Sequence, residues 1–292
     1  MLTCVIDAIE GRYVATTDIP GTFLQTDMPE DETLHIRISG AMAELMAKID
    51  PDLYNQYIIS RKRGTKVLFA KANKAIYGTL RAALLFWQKL KGKLAEWGFE
   101  ENPYDACTMN KIIDGEQATI VWHVDDLKIS HKSKQCVRSI LSDLESEFGK
   151  VSPLTTTLGK VHDYLGMTID YSVDKKVRFT MFDYLHEIIE NLPEHLIATR
   201  NTTSPAADHL FTVNEDAERL NTADAEIFHS YTAKLLFAAK RARPDIQTAI
   251  AFLCTRVKSP DVDDWKKLKR VLGYIKETIF LPLTLGSDGT GN

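Results

Sequence analysis

Thr119-Ile-Val-Trp-His-Val-Asp-Asp-Leu-Lys-Ile-Ser130 decides how the chain is read. The runs Thr119–Trp122 and Leu127–Ser130 are rich in β-branched, aromatic and apolar residues, the composition of strands. Asp125 and Asp126 stand at the bend between them. Two adjacent carboxylates repel each other, and these have no obvious local partner. A divalent cation would relieve that repulsion, because hard cations take oxygen ligands and Mg2+ commonly uses one or two carboxylates plus substrate phosphates. The plainer reading is a solvated turn, where Asp is common. A further aspartate on a neighbouring strand favours the cation.

Working outward, Asp114-Gly115 between Asp105–Lys111 and Gln117–His123 predicts a hairpin immediately upstream. Downstream, Ser133 caps a helix expected through Phe148, with Val137, Ile140, Leu141 and Leu144 on one face. Leu80, Ala83, Leu84, Trp87, Leu90, Leu94 and Trp97 recur at helical spacing before Gly98, which predicts a helix with those side chains in the core. At the front, Leu2–Ile9 reads as a short apolar helix broken by Gly11, and Tyr13–Thr17 as a strand with Asp18 at its end. Pro20-Gly21 turns the chain. Leu34–Ser39 and Val67–Lys71 read as strands, Gly40–Ile49 and Asp52–Ile59 as helices.

Beyond the capped helix, Val151–Thr157 reads as a loop. Asp163–Tyr171 and Val177–Thr180 read as a hairpin around Asp174-Lys175, and Met181–Asn191 as a helix. Residues 192–221, with Pro193, Pro205 and many Thr, Asn and Ala, read as a linker. Helices are expected over Ala225–Ala242, Pro244–Val257 and Val262–Thr278, then a polar tail from Gly286 to Asn292. This order predicts an α+β fold: a mainly antiparallel sheet with helices on one face over 1–191, a linker over 192–221, and a helical subdomain over 222–292.

The 292 residues, 44% hydrophobic and 26% charged, suffice for one large domain or two small ones with a buried core. No run approaches the length of a membrane span, and the first ten residues lack the basic start and cleavage site of a secretion signal. Cys4, Cys107, Cys136 and Cys254 match no zinc or disulfide spacing, so an intracellular, cytoplasmic setting is expected. The net charge of −4 argues against a nucleic-acid binder, but its distribution does not. From Ser60 to Lys93 there are ten basic residues and no acid, including Arg61, Lys62, Arg63, Lys71, Lys74 and Arg81. Lys234 to Lys276 is a second basic stretch, while acids gather between Asp7 and Glu32. Separated basic stretches can track a phosphate backbone, although the same residues can simply solvate helix faces.

If the strand ending at Asp18 lies beside the Asp125-Asp126 bend, three carboxylates converge. Such a set can hold two cations about 3.5–4 Å apart, the arrangement that serves both attacking and leaving oxygens in phosphoryl transfer.

Several stretches together resemble the reverse transcriptase of copia-type LTR retrotransposons. Asp18-Ile-Pro-Gly-Thr-Phe-Leu24 is similar to that family's Asp-x-x-x-Ala-Phe-Leu, and His123-Val-Asp-Asp126 to its Tyr-Val-Asp-Asp. Ala75-Ile-Tyr-Gly78 followed by Phe86-Trp-Gln-Lys-Leu90 resembles its Tyr-Gly-Leu-Lys-Gln-Ala-Pro-Arg-x-Trp helix. Asp163-Tyr-Leu-Gly166 resembles the hairpin that grips the primer end. Arg243-Pro-Asp-Ile246 and Trp265-Lys-Lys-Leu-Lys-Arg-Val-Leu272 resemble segments that follow the polymerase palm. Each motif alone is weak, but their shared order and spacing are specific.

The resemblance implies a palm with partial fingers followed by a thumb- or connection-like helical subdomain. It implies that Asp18, Asp125 and Asp126 are catalytic and bind two Mg2+ ions, with Mn2+ as the alternative. Phe23 falls at the family's steric gate against a 2′-hydroxyl, and Arg81 near its nucleotide pocket. Lys71, Lys74, Lys160, Tyr164 and Gly166 would meet nucleic acid. RNA template, DNA primer and dNTP are the implied partners, with no membrane. Three departures stand out: Arg81 where the family has Gln, His123 where it has Tyr, and only Met1–Thr17 ahead of Asp18 where basic finger strands are expected. The chain also stops at Asn292, ahead of any RNase H domain. The missing fingers and Arg81 favour a second reading, a non-catalytic remnant that at most binds nucleic acid, whereas the presence of all three aspartates favours selection for catalysis or recent decay. A metal-dependent nuclease, a third reading, also uses paired carboxylates, but the gate and primer-grip resemblances argue against it.

Overall fold

The computed structural model describes residues 1–61, 64–197 and 202–287. Lys62 and Arg63 of the first basic stretch, residues 198–201 of the expected linker and the tail beyond Ser287 lie outside the described residues. In chain order come α1 (Leu2–Glu10), β1 (Tyr13–Asp18), β2 (His35–Ser39), α2 (Ala41–Ile49), α3 (Pro51–Tyr54), β3 (Ile59–Ser60) and β4 (Lys66–Lys71). Then follow α4 (Leu80–Glu96), β5 (Glu100–Asn102), β6 (Asp105–Ile113), β7 (Glu116–His123), β8 (Asp126–His131), α5 (Lys134–Phe148) and β9 (Thr155–Gly159). The remainder is β10 (Val161–Tyr164), β11 (Met167–Asp170), β12 (Lys176–Thr180), α6 (Phe182–Glu190), α7 (Thr222–Ala239), α8 (Gln247–Arg256), α9 (Val262–Glu277) and β13 (Leu283–Gly286). Among the described residues no helix is long and apolar enough to cross a membrane.

Two compact units result: Met1–Thr16 with Lys128–Val137 and Thr157–Asn292, and Thr17–Leu127 with Arg138–Thr156. In the second, β5, β6 and β7 pair antiparallel in sequence order, and the start of β8 and the end of β1 continue that sheet. The β6–β7 connection is Asp114-Gly115, with φ of 51° and 79°. Two successive positive φ values match the twist of a tight hairpin, and Asp-Gly tolerates them. The β7–β8 connection is also two residues, Val124-Asp125, and Val124 sits at φ 61°. Glycine usually fills such a position; a β-branched residue there is strained by about 1–3 kcal/mol.

α4 forms where its periodicity predicts, but its buried face is rotated. Ala82, Leu85, Phe86, Leu90 and Leu94 are buried, whereas Leu84 is 42% exposed. Both stripes have helical spacing, and the large Phe86 selects the inner one by packing edge-on against Phe148 with ring centroids 6.0 Å apart. Asp52–Ile59 is not one helix. α3 stops at Tyr54, a 3-10 turn covers Asn55–Tyr57, and β-branched Ile59 pairs with Val67 instead. The antiparallel sheet β2-β4-β3 completes this unit's secondary structure.

In the first unit β10-β11-β12-β13 form an antiparallel sheet packed by α1 and α6–α9. The segment Asp163–Tyr171 is two strands rather than one, because Leu165 and Gly166 take φ of 52° and 75° and fold β10 back on β11. Val151–Thr157 is not all loop, since its Thr-rich end begins β9. β13, just beyond Pro282, pairs with β12, a strand no local sequence signal announces. Among the described residues of 192–221, Leu196 and Leu210 are buried in this unit's core. Arg243 is also buried; its guanidinium grips Asp245 at 2.7 Å and the Thr278 carbonyl at 3.1 Å.

Lys128 and Asp7 form an ion pair in which both side chains are only 1% exposed. Removing one partner strands a charge in the core. Asp7→Ala is therefore expected to cost about 3–5 kcal/mol, read by urea denaturation, whereas Asp7→Leu with Lys128→Met should recover most of it. A loss under about 1 kcal/mol in the single variant would contradict this.

Candidate active site

β1 delivers Asp18 at its last residue and β8 delivers Asp126 at its first, with Asp125 in the turn between β7 and β8. The Ile19 N–H donates to the Asp125 carbonyl at 3.2 Å, so the two segments touch through their backbones. Asp18 and the adjacent pair Asp125-Asp126, far away in sequence, thus meet at one end of neighbouring strands, all half-buried. Burial raises the Asp18 carboxyl above its ordinary value, and the Asp125 charge raises it further. Burial likewise raises Asp126, followed by repulsion from Asp125 and then Asp18, with His123 partly offsetting them. Each carboxylate is within electrostatic reach of the next.

Among the described residues no three His, Cys, Asp or Glu side chains gather tightly enough to hold a metal ion. Carboxylates that repel one another settle apart. The donor set is all oxygen and carries uncompensated negative charge, the chemistry that hard divalent cations require.

The turn after β1 sets the floor of the site. Gly21 at φ 66° allows a 3-10 turn over Thr22–Gln25, and the Thr22 hydroxyl donates back to the Ile19 carbonyl. Phe23, 8% exposed, lies in that turn with its ring 4.4 Å from Tyr77. Gln25 donates to the carbonyls of Pro20 at 3.0 Å and Phe148 at 2.9 Å, while Lys89 donates to the Gln25 carbonyl at 2.6 Å. Burial lowers the Lys89 ammonium below its usual value. Tyr77, Gln25 and Lys89 were not singled out from the sequence; Tyr77 and Lys89 had a signal, their places in Ala75-Ile-Tyr-Gly78 and Phe86-Trp-Gln-Lys-Leu90.

The other expected contacts are scattered. Arg81 is paired with Glu32, and Lys74 with Asp27 at 2.5 Å. The acids between Asp27 and Glu32 thus occupy two cations expected to face nucleotide or template. Lys71 is exposed at the end of β4, opposite His35. Lys160, Tyr164 and Gly166 belong to the other compact unit. There Lys160 is exposed, but the Tyr164 ring is buried in the core, so that hairpin presents Lys160, Asp163 and its backbone outward. A Cβ on Gly166 would come 3.3 Å from the Phe237 ring.

The α+β fold, with its mainly antiparallel sheets and packed helices, is of the reverse-transcriptase kind. The chain matches the family described as Reverse transcriptase (RNA-dependent DNA polymerase) over residues 1–206 and belongs to it. It is 22% identical over 222 residues to the retrovirus-related Pol polyprotein from transposon TNT 1-94 of Nicotiana tabacum, covering 74% of this chain and 16% of that polyprotein. It is 27% identical over 161 residues to an uncharacterized mitochondrial protein of Arabidopsis thaliana, covering 55% of this chain and 62% of that one. The transposon Pol match supports the copia-type resemblance, and the chain spans only part of each relative's length. Apo telomerase from Candida tropicalis overlaps 96% of this chain and 50% of its own at 14% identity, with a TM-score of 0.35, too loose an overlap for a conclusion to rest on.

The raised carboxyls fix a pH dependence. Asp18 and Asp126 hold protons more tightly folded than unfolded, so their contribution favours folding in acid. It is lost as pH rises from the unfolded carboxylate value, about 3.9, through the folded one. At pH 7 both charges therefore cost stability. Asp126→Asn should raise Tm at pH 7 in metal-free buffer, with the gain shrinking below pH 4; a lower Tm at pH 7 would contradict it.

Proposed function

We propose that this chain is the palm-centred part of an RNA-directed DNA polymerase, adding deoxynucleotides to a primer 3′-hydroxyl on an RNA template. The observation that carries this is the contact between Ile19 and Asp125, which sets Asp18 beside the Asp125-Asp126 turn. Asp18, Asp125 and Asp126 would hold two Mg2+ ions. When bound, these supply charge neutralisation to the triphosphate and a more acidic primer hydroxyl. The protein itself positions and excludes. The tight β7–β8 turn fixes Asp125 and Asp126 relative to each other, and the Phe23 ring, backed by Tyr77, rejects a 2′-hydroxyl by steric conflict.

Residues 1–191 are assigned here to the palm with partial fingers, 192–221 to a linker and 222–292 to a connection-like helical subdomain. Lys71, Lys74 and Arg81 would follow template or triphosphate, Lys74 and Arg81 after exchanging Asp27 and Glu32 for phosphate. Those two ion pairs favour the second reading, a remnant that binds nucleic acid without extending it.

Primer extension on poly(rA)/oligo(dT) separates the readings. Weak, Mg2+-dependent extension is expected, lost in Asp125→Asn, with ribonucleotide incorporation appearing in Phe23→Ala. Binding without extension supports the remnant, shortening of the primer supports a nuclease, and extension surviving Asp125→Asn defeats the assignment of the carboxylates.

A further inference from the structure

A cleft of about 440 Å³ lies in the first compact unit, between residues 205–214 and α9. His209, Lys266, Lys267 and Arg270 line it, with Asp263 the acid among its walls. Two of these cations are braced from behind. The Lys267 ammonium donates to the Thr212 carbonyl at 2.7 Å, and Arg270 Nε to the Ser204 carbonyl at 3.1 Å. The Lys267 ammonium, only 9% exposed, is also paired with Asp264 at 4.0 Å, whereas the Arg270 guanidinium, with five donors, keeps N–H groups beyond its bracing bond. The Lys266 side chain is 73% exposed and reaches Asp263 at 2.8 Å. Phe211, between lining residues Leu210 and Thr212, is 65% exposed and set edge-on to Phe252 with ring centroids 5.7 Å apart. Phe211 does not itself line the cleft, but the Phe252 ring it packs against lies 4.7 Å from the Lys267 ammonium, so an exposed aromatic ring stands next to the cations.

We propose that this cleft binds a nucleoside 5′-phosphate unit, its phosphate on Lys266, Lys267 and Arg270 and its base on Phe211. The unit is either a free nucleotide or one residue of a single strand. The volume falls in the range of small-molecule sites, about 300–1,000 Å³. Basic groups beside a stacking aromatic are the pairing that captures nucleotides without reading sequence. The site uses no carboxylate of the palm and needs no divalent ion, so it stands apart from the polymerase reading. Phosphate must displace Asp263 from Lys266, which makes binding modest and salt-sensitive. The competing explanation is that the cations only fasten residues 204–212 to α9. Lys267 and Arg270 do make such bonds; Lys266 pairs within its own helix, and Lys266 therefore discriminates.

The test is photolabelling of the whole chain in EDTA with 4-thiouridine 5′-monophosphate, with a short oligonucleotide carrying 4-thiouridine, and with the nucleoside alone, the labelled peptides being mapped by mass spectrometry. Labelling is expected within residues 205–214 and 262–270 by the phosphorylated probes and not by the nucleoside. Lys266→Glu should reduce it about tenfold, the weight of one charge-assisted phosphate contact. Equal labelling by both phosphorylated probes assigns the cleft to free nucleotides, and labelling by the oligonucleotide alone assigns it to a strand. Labelling confined to other peptides, equal labelling by the nucleoside, or indifference to Lys266→Glu would each overturn the proposal.

Discussion

Like charges held within electrostatic reach at the end of two adjacent strands are the constraint on which the rest of this structure depends. Asp18 and Asp126 are raised by burial and by the acids beside them, and a backbone hydrogen bond from Ile19 to Asp125 prevents the segments from parting. The Val124 turn adds backbone strain at the same place. Strain and repulsion persist only where surrounding structure over-determines them. Here that structure is the paired β5–β7 ladder, the buried stripe of α4, and the Phe86–Phe148 contact. Such sites trade stability for function.

Charged side chains buried elsewhere among the described residues obey the opposite rule: they are paired. Lys128 meets Asp7 two residues along the chain from Asp126, Arg243 meets Asp245 and Thr278, and Arg256 meets Asp261 and Asp264 at the start of α9. The motifs Arg243-Pro-Asp-Ile246 and Trp265–Leu272 thus divide into two kinds. The first is a buried fastening. The second presents Leu268, Val271 and Leu272 inward and Lys266 outward.

Much of the palm was legible because its signals are local. Asp114-Gly115 announces a hairpin through φ preference alone, and Tyr13–Asp18 announces a strand ending in an acid. That Asp18 meets Asp125 was legible only through the family resemblance, since pairing of distant strands leaves no local trace. The α4 helix was read correctly and its inner face was not, because two apolar stripes fit the same period and tertiary packing chose between them. Leu165-Gly166 was missed as a turn because Leu carries no turn signal. Ile59 was read as helical because its strand partner is needed to reveal it. The partners of Arg81 and Lys74 were invisible for the same reason: the acids between Asp27 and Glu32 are close only in the fold.

The central claim is that Asp18 belongs to one ion-binding group with Asp125 and Asp126 although more than a hundred residues of chain separate them. Calorimetric titration of Mn2+ into the wild-type chain and into Asp18→Asn, Asp125→Asn and Asp126→Asn tests it most directly. The account predicts saturable binding in the wild type, weakened by each of the three replacements. Binding that is unchanged in Asp18→Asn while lost in the other two would contradict it.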